Sequence, residues 1–221
     1  MTLNPGSAVN PAARPGAGTG VSPGSGLGRL DRRELCRAVL ADRGSMLVVA
    51  GLGASAWDIT AVGDCAENLP LWGGMGGAAM VGLGLALAQP TRRVLVITGD
   101  GEMLMGLGAL ATIAVRQPPN LAILVQDNEH YGETGMQETH TGHGVDLLAI
   151  ARGAGFAQTM LATAPEHLAP LCRAIRADGL LFAVAKIGTD AAPLVLPPRE
   201  GSVLQARMRE VILGPQAYHQ L

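Results

Sequence analysis

Two short runs constrain this chain more than any other feature: Arg93-Val-Leu-Val-Ile-Thr98 and Leu121-Ala-Ile-Leu-Val-Gln126. Neither alternates apolar with polar residues, so each reads as a strand buried on both faces, as in a parallel sheet. Between them Glu102–Val115 has helical character, and Gln117-Pro-Pro-Asn120 stops it. Strand, helix and strand in this order form a βαβ unit with a right-handed crossover. The prediction is an α/β fold, a single module with a parallel central sheet and helices on both faces.

The rest of the chain fits that plan. An amphipathic helix is expected over Leu30–Asp42 with Asp31 at its start, a strand at Met46–Ala50, a glycine-rich turn at Gly51–Ser55 and a helix from Ala56. Leu71–Gly77 reads as a loop feeding an apolar helix that ends near Gln89-Pro90. Beyond Asn128 come a helix at Val145–Gly153, a strand at Phe156–Met160, a helix at Glu166–Ala177 after Pro165, and a strand at Leu180–Lys186. Residues 1–28, rich in Gly, Pro, Ser and Ala, are expected to be a disordered tail. Residues 29–196 form the domain, and 197–221 an extension with a helix at Val203–Ile212.

With 221 residues the chain is long enough for one such domain with its own core. Charged residues are 15% and the formal net charge is −2, which argues against a nucleic-acid surface or a polybasic membrane anchor. Cys36, Cys65 and Cys172 are an odd, scattered set without metal spacing, so neither a disulfide framework nor a zinc site is expected. Asn68–Thr91 lacks charge, but its apolar heart Met75–Ala88 is shorter than the roughly 20 residues of a membrane-spanning helix. The amino terminus has no basic start and apolar run of a secretory signal, which predicts a cytoplasmic protein.

The chemistry concentrates at the ends of the two central strands. Gly99-Asp100-Gly101 follows the first and Asp127-Asn128 the second, with 25 residues, 102 to 126, between the motifs. Both Asp100 and Asn128 therefore emerge at the carboxyl edge of a parallel sheet, where open α/β sheets bind ligands. Their hard oxygens suit Mg²⁺ or Ca²⁺. Glycines beside Asp100 let an anion approach the backbone, and the N–H groups opening the next helix favour negative charge.

This spacing resembles the metal and diphosphate motif of thiamine-diphosphate enzymes. Trp72-Gly73-Gly74-Met75-Gly76 resembles the loop that holds the cofactor bent in the same family. Within it, residues 99–108 and 127–137 look most like the small-subunit phosphonopyruvate and sulfopyruvate decarboxylases. The resemblance implies thiamine diphosphate and Mg as cofactors. Asp100, Asn128 and the backbone carbonyl of His130 would hold the metal. Gly99 would flank Asp100, and the N–H groups of Gly101 and Glu102 would meet the diphosphate. The Gly73 carbonyl would accept from the pyrimidine amino group, Met75 would prop the bend, and Ser55 would touch the cofactor. Glu102 stands where relatives place Ser, so no side-chain role is assigned to it. Acid, base or substrate contacts are sought in His130, Tyr131, Glu133, Gln137, His140 and His143.

The family also needs a glutamate against the pyrimidine ring, carried by a separate module of about 150 or more residues that cannot fit here. The resemblance therefore implies a hetero-oligomer with a pyrimidine-binding partner supplying that glutamate, acting on a small 2-oxo acid. The Gly- and Ala-rich helix Gly76–Ala88 suits close packing near such an interface. Two alternatives stay open. Gly51-x-Gly53-x-x-Ala56 after a strand could be a dinucleotide fingerprint of a nicotinamide enzyme, though no acidic residue ends the next strand. The chain could also be a non-catalytic, cofactor-holding or regulatory subunit.

Overall fold

The structure is a computed structural model and describes residues 29–219; the expected tail, 1–28, lies outside these. Its elements in chain order are α1 (Arg32–Leu40), β1 (Leu47–Ala50), α2 (Ala54–Gly63), β2 (Asn68–Pro70), α3 (Ala78–Ala88), β3 (Val94–Gly99), α4 (Asp100–Met105), α5 (Ala109–Arg116) and β4 (Leu121–Asp127). They continue with β5 (His130–Tyr131), β6 (Gln137–Glu138), α6 (Leu147–Ala154), β7 (Gln158–Ala162), α7 (Leu168–Arg176), β8 (Leu181–Lys186) and α8 (Gly201–Leu213).

Six strands form one sheet in the order β2-β1-β3-β4-β8-β7, every pair parallel. The side chains of each central strand divide between two cores. Val94 and Val96 of β3 and Ile123 and Val125 of β4 face α3, α5 and α6. Leu95, Ile97, Ala122 and Leu124 face α1, α2 and α7. Helices thus cover both faces, which is why the two runs lack polar alternation. Leaving β1, the chain crosses to β2 on one side and returns to β3 on the other, so the strand order reverses between β1 and β3. That reversal opens a crevice at the carboxyl ends, the usual ligand position in this architecture.

Several expectations need correction. The single helix over Glu102–Val115 is two, α4 and α5, and α4 begins at Asp100. Gly106 sits at the break because a Cβ there would fall 2.1 Å from the Gly76 carbonyl oxygen, so the loop before α3 packs on bare backbone. β7 lies two residues later than expected, since Phe156 turns into the core and packs edge-on against Phe182 at 5.7 Å between ring centres. Strand β2 was not anticipated: three residues ending in Pro carry almost no strand signal, and Pro is tolerated there because the strand is at an edge. The two-residue β5–β6 ribbon was equally invisible. Pro170 lies within the first turn of α7, where its missing N–H costs nothing.

Asp31 caps α1 by accepting from the Glu34 N–H at 2.8 Å, as expected, a contribution of about 1 kcal/mol. The expected C-terminal helix is α8, which packs beside the sheet edge at β2. Arg207 joins it to Asp64 through two 2.9 Å bonds. Among the described residues, no helix is long and apolar enough to cross a membrane. Cys36, Cys65 and Cys172 are all unpaired.

Candidate active site

A cleft of about 510 Å³ opens at the strand-order reversal. Its floor comes from the β1–α2 turn (Ala54, Ser55), the β3–α4 junction (Gly99 to Glu102) and the end of β4 (Gln126, Asn128), and one wall from His130 to Glu133. Register explains the convergence: Gly99 pairs with Gln126, so both strands end at the same level.

Asp100 is buried at the start of α4. Its Oδ2 accepts from the hydroxyls of Thr139 and Thr141, the latter at 3.0 Å, which leaves the other oxygen for a ligand. Burial pushes its carboxyl above the usual range, Thr139 pulls it down, and nearby Asp127 raises it further. Asp127 is itself buried and fully engaged: Oδ1 lies 2.8 Å from Thr141 Oγ1, whose single proton it shares with Asp100, and accepts from the Glu129 N–H at 3.1 Å, while Oδ2 meets Lys186 Nζ at 2.7 Å. It therefore braces the turn that presents Asn128. Lys186 also binds Glu129 at 2.8 Å, and the two carboxylates hold its pKa above the ordinary value despite burial. Glu129 adopts a left-handed backbone (φ 64°), a strained state for a non-glycine residue that Lys186 and Arg29 secure through its carboxylate.

Asn128 Oδ1 accepts the His130 N–H at 3.0 Å, and His130 Nδ1 lies 2.9 Å from the Asn128 carbonyl. A carbonyl can only accept, so Nδ1 carries the proton and Nε2 is left as an acceptor. The Tyr131 ring lies on Gly101, where a Cβ would be 2.4 Å from the ring. Ser55 is buried with its hydroxyl donating to Gln126 Oε1 at 2.9 Å.

The Glu102 carboxylate is turned toward the start of the β1–α2 turn. Thr98 Oγ1 donates to its Oε2 at 2.9 Å, and the carboxylate lies over Gly51 beside the backbone of Gly76 and Ala78. Burial raises its pKa above the usual range. An acid at this position is compatible with an anion at the floor because the side chain is stowed elsewhere.

Met75 is 39% exposed and lines the cleft, so it is not a core residue. Gly74 (φ 70°) and Gly76 (φ 89°) hold it out on a turn. The indole N–H of Trp72 donates to the Pro198 carbonyl at 2.7 Å, tying this loop to the C-terminal extension.

The structure brings Ser55, Met75, Gly99, Asp100, Gly101, Glu102, Asn128, His130, Tyr131 and Glu133 to one cleft. It does not bring Gly73, Gln137, His140 or His143 to the lining. Gln137 is exposed and bonded to Thr134 at 2.8 and 2.9 Å, His140 is exposed in a 3₁₀ turn, and His143 contacts Glu138 at 3.2 Å. Their sequence position after the strand was right for the loop, but the β5–β6 turn carries the chain away. Sequence reasoning missed Thr139, Thr141 and Arg32, and named Lys186 only as a cation without a place. Only Arg32 had a legible signal: two arginines opening a helix oppose its dipole and so require another partner.

Two hard oxygen donors, Asp100 and Asn128, face the cleft together with glycine backbone at Gly99 and Gly101. That set suits a divalent metal carrying a phosphate ligand better than a cluster of side chains would. Among the described residues, no three His, Cys, Asp or Glu side chains converge as a metal cage. The dinucleotide reading fares poorly. β2 ends at Pro70 without an acid, and the space beside Gly51 is filled by Glu102, with 1.6 Å between an added Cβ and Oε2.

Comparison with known proteins agrees with this geometry. Residues 54–184 match the model for the thiamine pyrophosphate enzyme C-terminal TPP binding domain. The sulfopyruvate decarboxylase subunit beta of Methanocaldococcus jannaschii is 42% identical over 109 residues, 49% of this chain and 57% of that protein. Phosphonopyruvate decarboxylase of Streptomyces viridochromogenes is 40% identical over 133 residues, 60% of this chain and 33% of that protein. Among solved structures, the thiamine diphosphate-dependent 4-hydroxybenzoylformate decarboxylase of Rhodococcus jostii RHA1 superposes with a TM-score of 0.61 at 23% identity. It covers 81% of this chain and 36% of that one, a likeness of fold. The chain thus spans little more than half of the first relative and a third of the second.

Proposed function

Given that the chain belongs to the thiamine pyrophosphate enzymes, as their C-terminal TPP-binding domain, we propose that it is the diphosphate- and Mg²⁺-binding subunit of a heteromeric 2-oxo acid decarboxylase. The substrate class is that of the sulfopyruvate and phosphonopyruvate enzymes. The observation that carries this reading is the convergence of Asp100, Asn128 and Met75 on one cleft from three separate segments.

In this reading thiamine diphosphate, when bound, supplies the electron sink for loss of carbon dioxide from the oxo acid. Asp100, Asn128 and the His130 carbonyl hold Mg²⁺; the N–H groups of Gly101 and Glu102, with Ser55, hold the diphosphate. Met75 would contact the cofactor from the cleft wall. His130 is the best placed proton acceptor of the candidates, with Nε2 bare, while Tyr131 and Glu133 share its wall.

The pyrimidine-activating glutamate comes from a partner subunit. Two features support this. A relative named as a beta subunit implies a second chain in that enzyme. The outward face of α3, with Met80, Val81, Gly84 and Leu87 exposed, is wholly apolar, and exposed Met75 and Met105 are apolar too. Such a surface is suited to burial against another protein. Gly82 serves a different purpose: a Cβ there would meet Val96 Cγ2 at 2.2 Å, so this glycine seats α3 on the sheet. Free cysteines fit a cytoplasmic location.

The test is reconstitution. Sulfopyruvate and phosphonopyruvate are offered to the chain with thiamine diphosphate and Mg²⁺, with and without the subunit that co-purifies with it. Carbon dioxide release that requires both chains is the expected result. Cofactor binding without turnover on either acid would leave a non-catalytic subunit in its place.

A further inference from the structure

Arg32 and Arg33 occupy the first turn of α1, where a cation faces the positive end of the helix dipole. Both are retained there by one acid. Asp58 has a fully buried side chain, with Arg33 Nε 3.0 Å from Oδ1 and Arg32 Nε 3.3 Å from Oδ2. Burial raises the Asp58 carboxyl above its usual range, and the two guanidinium groups pull it back. A second arginine on a carboxylate that already has one is more than charge balance requires.

The excess charge faces the cleft. Arg32 lines it, and among its lining residues Arg32 alone has a permanent positive charge, against the acids Asp100, Glu102, Glu133 and Asp190. Its contact with Asp58 is an ion pair through Nε at 3.3 Å, without a hydrogen bond, and its two terminal nitrogens donate to no protein group among the described residues. Gln126 connects the two places: its Nε2 reaches the Arg32 carbonyl at 3.5 Å, and its Oε1 accepts from Ser55. Arg32 therefore stands beside the Ser55 end of the cleft.

A carboxylate of the chain itself already sits in that corner. Glu133 lies over Gly53, with Oε1 2.8 Å from where a Cβ would be. Gly53 precedes α2 and provides no side-chain cap for it. Burial raises the Glu133 carboxyl above its usual range, and the charge of Arg32 pulls it only part of the way back. Glu133 and Arg32 thus line the same end of the cleft, an acid beside its permanent cation.

We infer that Arg32, paired with Asp58, binds the terminal phosphate of the cofactor's diphosphate, and that this phosphate displaces the Glu133 carboxylate. The inference rests on the functional reading above but concerns a residue outside the Asp100–Asn128 motif. A terminal phosphate carries about two negative charges near neutral pH, and a planar guanidinium can meet two of its oxygens at once.

The test compares thiamine diphosphate with thiamine monophosphate, each titrated with Mg²⁺ into the full chain together with its co-purifying subunit. In the wild type the diphosphate binds more tightly. Arg32→Gln is expected to weaken the diphosphate by about tenfold to a hundredfold, the loss of charged hydrogen bonds, and to leave the monophosphate unchanged. Glu133→Gln, an exposed position that does not endanger folding, is expected to tighten the diphosphate severalfold by removing its competitor, again without effect on the monophosphate. Diphosphate affinities unaltered by either variant would overturn the inference while the functional reading stands. An Arg32→Gln enzyme with normal diphosphate affinity but a raised KM for an anionic oxo acid would also overturn it, moving the guanidinium to the substrate. Failure of the wild type to bind thiamine diphosphate would instead sink the functional reading, and the inference with it.

Discussion

The carboxylate of Glu102 lies where a side chain on Gly51 would have to be: a Cβ built there falls 1.6 Å from Glu102 Oε2. Gly51 opens the turn out of β1 and Glu102 lies in the first turn of α4, so this contact locks together the two segments whose separation opens the cleft. Gly51→Ala is expected to destabilise the fold by about 1–3 kcal/mol, the usual penalty for overpacking. Urea denaturation measures it, and unchanged stability would show that Glu102 can leave without cost.

Because burial raises the Glu102 pKa above the ordinary 4.5, the folded state binds its proton more tightly than the unfolded state does. Its ionisation therefore weakens the fold as pH rises through the raised value, and stability returns as pH falls toward 4.5. Glu102→Gln removes that dependence. The variant should melt higher than wild type at neutral pH, with the difference closing in acid; an equal or lower melting temperature at neutral pH counts against the stowed position of the carboxylate.

Lys186 links Asp127 and Glu129 at 2.7 and 2.8 Å. Lys186→Met would leave the buried Asp127 charge without its cation. Since Lys186 is partly exposed, the cost is set below that of a fully buried pair, at about 1–3 kcal/mol. The raised lysine pKa means this contribution is complete below 10.5 and is lost as pH rises through the folded value. Denaturation at neutral pH and above 10.5 checks both statements; a variant as stable as wild type at neutral pH contradicts the first.

Met75→Ala separates propping from packing. Met75 is 39% exposed, so the substitution should move stability by no more than about 0.5 kcal/mol and leave diphosphate binding intact. Turnover by the assembled enzyme should fall. Activity equal to wild type would make the residue an ordinary surface methionine.

The central sheet was legible because its strands are buried on both faces and so advertise themselves as unbroken apolar runs. Asp100 and Asn128 were legible for a related reason: motifs at strand ends inherit their position from the sheet. Where the outcome depended on long-range contact, local pattern had nothing to offer. Gly106 breaks a helix because Gly76 approaches it, β2 exists because β1 offers an edge, and Gln137 and His140 leave the cleft because a two-residue ribbon turns them outward. Thr139 and Thr141 support Asp100 from about 40 positions away, which no periodicity encodes.

Asp100→Ala removes the carboxylate that Thr139 and Thr141 hold through Oδ2, and is expected to abolish Mg²⁺-dependent binding of thiamine diphosphate. Binding unchanged in calorimetry would refute its assignment to the metal.

The most direct measurement is a calorimetric titration of thiamine diphosphate with Mg²⁺ into the purified chain, alone and with the subunit that co-purifies with it. The account predicts binding that appears or tightens when the partner is present, because the cleft described here supplies the diphosphate half of a shared site. Absence of binding in both states, with the chain folded and the partner present, would contradict it.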